Sequence, residues 1–138
     1  MSQPLRYLLV YAATAFVMLL LDGLWLGVVA RPLYMQGIGH LMAEQPRWAV
    51  AVMFYAAYAA GLVVLVVLPQ SATAGLAHTA LYGALFGLFA YGTYDLTNLA
   101  TLRGWPVGLS LLDMAWGALI SALSSVAGKA AWDRLPPL

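Results

Sequence analysis

Long apolar runs alternate with short polar breaks along the chain, and every break between runs carries a proline. Pro4, Pro32, Pro46, Pro69, Pro106, Pro136 and Pro137 all lie outside the runs, where they interrupt no helical hydrogen bond. The pattern predicts an all-α membrane protein with four transmembrane helices over about 7–30, 48–68, 75–102 and 105–128, each with the ~20 residues a span requires. Pro69 stops the second helix, Gly104 follows the third, and Pro106 suits the first turn of the fourth, which ends near Gly128. The whole chain, 1–138, reads as a single integral-membrane domain.

The connections set the topology. Arg31 to Arg47 is the only long one, with room for a short interfacial helix over one end of the bundle. Pro69 to Ala74 and Arg103-Gly104 are short, which forces antiparallel neighbours and an up-and-down arrangement. Lys and Arg do not choose an orientation. Arg6, Lys129 and Arg134 fall on the side of the termini, and Arg31, Arg47 and Arg103 fall on the opposite, loop side.

Composition agrees with this pattern. Hydrophobic residues make up 64% and charged residues 8%, against about 25% charged in soluble domains. A net charge of +1 without a basic run gives no reason to expect nucleic acid. Cysteine is absent, which excludes disulfides, thiolate metal sites and a thiol nucleophile. The first apolar run is longer than a signal-peptide core and contains an aspartate, so it reads as a retained helix.

That aspartate introduces the candidate chemistry. Asp22, Asp95 and Asp113, three of the five acidic residues, lie inside apolar runs, where a carboxylate costs on the order of 2.5 kcal/mol or more. Asp22 precedes the loop-side end of the first helix by about eight residues and Asp113 follows the loop-side start of the fourth by about eight, hence both lie roughly 12 Å deep. Asp95 lies roughly 10 Å below the same surface. One carboxyl layer is therefore expected, and two of its members share the pattern Leu-Leu-Asp-x-x-Trp. Trp25 and Trp116 stand on the same helix faces as Asp22 and Asp113 and should bracket the layer from two levels. Tyr91, Asp95 and Asn98 form a polar stripe on the third helix, continued by Gly83 and Gly87, and offer donors to a carboxylate.

Plainer readings compete with these. The acids can form a structural hydrogen-bond cluster joining helices one, three and four through Tyr91, Asn98 and Ser110, with a proton shared between close carboxyls. Trp48, Trp105 and Tyr34 sit where interfacial aromatic belts form. His40 and His78 lie near opposite surfaces, so no metal site is expected. Without a phosphate-cradling glycine loop, a His-Glu-x-x-His or a histidine-activated serine, no cofactor is expected either, and acid chemistry is what remains.

Leu-Leu-Asp-x-x-Trp, Trp48 with Phe54-Tyr55, the run from Ala90 to Asn98, and Asp113-x-x-Trp116-Gly117 together resemble a family of small bacterial four-helix membrane proteins, domain of unknown function 2177. The resemblance covers nearly the whole chain. It implies a multi-pass protein of the bacterial cytoplasmic (inner) membrane and brings no assigned activity. Asp22, Leu33-Tyr34 and Pro46-x-Trp48 also resemble the layout of the sigma-two receptor and sterol-isomerase group, over the first half of the chain only. That group's second ligand-facing acid has no counterpart between Arg31 and Arg47. The likeness implies a ligand-facing role for Asp22.

The expected function is an intramembrane pocket binding a membrane lipid or another hydrophobic or amphipathic small molecule. Asp22, Asp95 and Asp113 would act as acid and base, and Trp25, Tyr91, Asn98 and Trp116 would contact the ligand. A proton-coupled exporter of small cations, acting as a homodimer, is the rival reading, and an assembly subunit of a membrane complex is the third.

Overall fold

The computed structural model describes residues 1–71 and 75–138, and among these the chain is helical with no strand. Helix α1 runs over Gln3–Leu24 and continues as a π-helical turn over Trp25–Val29. Helix α2 covers Arg31–Ile38, followed by a 3₁₀ turn at Gly39–Leu41. Helix α3 covers Trp48–Leu62 and also ends in a π-helical turn, Val63–Val67. Helices α4 and α5 cover Leu76–Thr101 and Val107–Arg134. Three stretches, Gln3–Val29, Trp48–Val67 and Val107–Arg134, are long and apolar enough to cross a membrane. Helix α4 is as long as these, 26 residues, but it carries His78, Asp95, Asn98, three tyrosines and four threonines.

Several boundaries move from their sequence positions for local reasons. Pro4 stands in the first turn of α1, where its missing N–H breaks no bond, so the helix starts at Gln3. Pro106 is the N-cap of α5 and not a first-turn residue. Gly128 does not end α5. A Cβ there would collide with the Thr14 hydroxyl, so this glycine lets α1 approach, and the helix continues to Arg134. Gly104 adopts φ +69, the left-handed turn expected after α4. The long connection is partly helical, as its α2 shows. Of the Pro69–Ala74 link, residues 72–74 lie outside the described residues.

Buried positions on α1 are Arg6, Val10, Thr14, Met18 and Asp22, a single stripe at four-residue spacing. The stripe faces α5. Arg6 bonds the carbonyls of Trp132 and Pro136, Gly128 meets Thr14, and Asp22 meets Trp116, so the two helices are antiparallel. Gly83 and Gly87 of α4 lie against the backbone and serines of α5 at Gly117, Ser121 and Ser125, again antiparallel. A Cβ at Gly83 would stand 2.8 Å from both the Ser121 carbonyl and Ser125 Oγ. Small residues thus bring backbones together, the usual device where lipid removes the hydrophobic drive between helices. Met18, Tyr58, Ala59, Leu62, Val66 and Ile120 fill the space between α1, α3 and α5. Large apolar side chains such as Phe16 and Phe89 point outward, as a bilayer-facing surface requires.

At the terminal side, the Arg6 guanidinium also lies 4.0 Å from the centre of the Trp132 ring. Lys129 is buried and paired with Asp133 at 2.5 Å. Two of the three basic residues on that side are therefore tied into helix packing.

Candidate functional site

Asp22 and Asp113 arrive at one level from antiparallel helices, and neutral donors hold both. Tyr55 of α3 donates its hydroxyl to Asp22 Oδ2, and Trp116 of α5 donates Nε1–H to Asp22 Oδ1 at 3.0 Å. The Tyr34 hydroxyl of α2 donates to Asp113 Oδ1 and accepts a 3.3 Å bond from Trp25 Nε1. Asp95 of α4 is 2% exposed and stands one helical turn beyond Tyr91, whose ring lies over Gly117. Its Oδ2 is buried without a hydrogen-bond partner among the described residues. The three acids therefore stand within about one helical turn of a common level along the helices, as their distances from the helix ends foretold.

Trp25 and Trp116 do not bracket this layer from two levels. Their rings stack, with centroids 4.4 Å apart and planes 7° from parallel. Helical side chains lean toward their own N-terminus, and the two helices run in opposite directions. Each indole therefore leans back to the acid level from its own side, where they meet. Trp116→Phe removes a donor to a buried carboxyl and should lower stability by about 1–2 kcal/mol, more than Trp25→Phe, whose longer bond goes to a phenol. Denaturant titration in detergent ranks the two, and the reverse order would contradict the arrangement.

Beside the acids lies a cavity of about 460 Å³. Asp22 and Leu26 line it from the first span, Tyr34 from α2, and Asp113 from α5. Phe54, Tyr55 and Tyr58 close one side and Phe86, Ala90, Tyr91 and Tyr94 the other. Helix α4 meets the second span mainly through the π-helical turn Val63–Val67, and at the acid level the cavity separates the two helices. Phe54 is 56% and Tyr94 51% exposed, so the rim between α3 and α4 faces the surroundings of the helices.

Other sequence expectations are redistributed. Tyr91 lines the cavity, but its ring lies over Gly117, where any Cβ would collide with it, and the donors to the carboxylates come from Tyr34, Tyr55 and Trp116. Asn98 is partly buried on α4 and is not among the cavity-lining residues. Trp25 and Trp116 support the acids from behind. Tyr34, read from sequence as a belt residue, is drawn into the acid layer because α2 folds back over α5. Gly37 lies at that approach, where a Cβ would stand 2.9 Å from Leu109 Cδ2 and 3.2 Å from Pro106 Cγ. Burial, reinforced by the bond to Asp113, pushes the Tyr34 phenol upward from its ordinary value, so it remains a donor at neutral pH. Tyr55 was missed although a signal existed: it lies seven residues inside Trp48, about 10 Å deep and level with the acids. Among the described residues, no three metal-ligating side chains converge.

A family model described as predicted membrane protein (DUF2177) matches residues 7–130. The chain belongs to that family. No curated protein and no solved structure matches the chain. As a DUF2177 member with three strongly apolar helices, it is a membrane protein, and the matched region contains the entire acid layer and every residue lining the cavity.

Proposed function

We propose that this DUF2177 protein spans the bacterial inner membrane four times, as an up-and-down bundle of α1, α3, α4 and α5, and binds a lipid-like or amphipathic molecule in the cavity beside Asp22 and Asp113. The observation that carries this reading is the cavity itself: two carboxyls at membrane depth border a space within the range of ligand pockets, about 300–1,000 Å³, walled by aromatic rings. Its rim lies between α3 and α4, at Phe54 and Tyr94, so a ligand would enter from the bilayer. Helix α4 counts as the fourth span because its 26 residues pack along α5, which buries Thr79 and Asp95. If the protein is an enzyme, the carboxyls suit protonation and deprotonation of an unsaturated lipid or terpenoid, with Tyr55 and Trp116 holding Asp22 in position.

One observation favours a structural or assembly role. Asp22 is satisfied by an indole and a phenol and Asp113 by a phenol, as a helix-joining cluster would be. A purely structural cluster predicts closure without a cavity, and a cavity is present.

Mass spectrometry of lipids retained through purification tests the binding reading. The wild-type protein should carry a specific lipid or amphiphile, reduced at least fivefold in Asp22→Asn and in Asp113→Asn. Equal retention in all three proteins would refute the pocket.

A further inference from the structure

Basic side chains divide equally between the two ends of the molecule, three against three, but the folded chain presents them unequally. At the terminal side Arg6 is 7% exposed, and its guanidinium is engaged by the carbonyls of Trp132 and Pro136 and by the Trp132 ring. Lys129 is 4% exposed and is neutralised by Asp133. Of the three, Arg134 alone is exposed. At the loop side Arg31, Arg47 and Arg103 are all exposed, and none of them forms a salt bridge among the described residues. Glu44 is the one acidic residue in the connections at that end.

Each of these arginines stands at the loop-side end of a different apolar helix. Arg31 follows the stretch that ends at Val29, Arg47 is the N-cap of the one that starts at Trp48, and Arg103 precedes the one that starts at Val107. The ends lie together because the first two of these helices are antiparallel, with Val10 against Val63 and Val67 at one level and Asp22 against Tyr55 at another, and the first and last are antiparallel as well. Aromatic rings mark the membrane surface beside two of the arginines. Trp48, next to Arg47, is 65% exposed, and Trp105, two residues after Arg103, stands edge-on to Tyr94 with centroids 5.7 Å apart. Indoles concentrate at the head-group level, so guanidinium groups just outside them reach the phosphates. Helix α2 buries no residue and leaves Leu33 and Met35 about half exposed, as a helix lying in the plane of the head groups does.

We propose that the loop-side end of the molecule is a binding surface for anionic phospholipid head groups, held by Arg31, Arg47 and Arg103. A guanidinium group donates paired N–H bonds to a phosphate. Three of them around the helix ends favour a lipid of net negative charge over a zwitterionic one, whose own ammonium group offsets the attraction. The terminal end carries the same residue types but commits two of its three to helix packing, so it lacks this preference. The surface is separate from the cavity and does not depend on the pocket reading.

Native mass spectrometry of the detergent-solubilised protein, titrated separately with phosphatidylglycerol and phosphatidylcholine of identical acyl chains, reads the affinity of the first bound lipid. The wild type should bind phosphatidylglycerol about tenfold more tightly or better, since each arginine at a membrane surface contributes about a factor of five. Arg31→Gln, Arg47→Gln and Arg103→Gln combined should reduce the preference to about twofold or less. The same three positions changed to Lys keep the charge and should keep the preference, which separates lost charge from lost folding. Arg134→Gln at the terminal end should also keep it, and so should Asp22→Asn, which reports on the cavity instead. Equal affinity of the wild type for the two lipids overturns the surface. So does a preference that survives the triple glutamine variant, or one that disappears in Arg134→Gln.

Discussion

Gly87→Val should destabilise the protein by about 3 kcal/mol or more, the upper end of the range for overpacking. A Cβ at Gly87 lands on the Gly117 carbonyl, with the carbonyl carbon at 2.7 Å and Ser121 Oγ at 2.5 Å. The first of these is backbone inside a helix and cannot rotate away, so α4 and α5 must separate. Separation would also lift the Tyr91 ring from Gly117 and open the rear wall of the cavity. Gly23→Ala is the matched control, because no atom lies within 4 Å of a Cβ there. It should be neutral or slightly stabilising, since alanine is the better helix former. Denaturant unfolding in detergent decides the matter, and equal stability of the two variants would show that α4 and α5 do not pack so closely.

Asp22→Ala should lower stability by about 3 kcal/mol, and Asp22→Asn by less than about 1 kcal/mol. Alanine leaves the Tyr55 hydroxyl and the Trp116 indole N–H without an acceptor, and a stranded buried donor costs about 1–3 kcal/mol. Relief from burying the carboxyl offsets part of that sum. Asparagine keeps an acceptor oxygen for the Trp116 indole, and the Tyr55 hydroxyl can rotate to accept from its amide nitrogen. Unfolding midpoints of the two variants provide the comparison, and indistinguishable values would mean that the two donors have other partners.

The apolar runs and their proline breaks revealed the long helices, because proline inside a helix is so costly that its absence is informative. Boundaries were less legible where one residue type has two uses. Gly128 resembles a helix stop, yet it is the point at which α1 approaches, a distinction that depends on Thr14 far away in the chain. The carboxyl layer was legible because rise per residue fixes depth and short links fix direction. Counting depth says nothing of side-chain lean, so the tryptophans were placed on two levels when they share one. Tyr34 was hidden for another reason: its position depends on how α2 folds against Leu109 and Pro106, a tertiary contact without a local pattern. Tyr55 is readable by the same depth count, although an aromatic in a span ordinarily serves as packing.

The donors to the two motif aspartates cross between the first and last spans: Trp116 bonds Asp22, and Trp25 reaches Asp113 through Tyr34. Neither Leu-Leu-Asp-x-x-Trp motif is complete within its own helix. A ribosome delivers these helices in order, so Asp22 is released into the membrane 94 residues before the indole that will hold it. Tyr55, 33 residues later, is the earlier of its two partners. The second span therefore supplies the partner nearer in sequence, and the last span supplies Trp116 and Asp113 together. A chain ending before residue 105 would have only one of the two bonds that keep Asp22 in place.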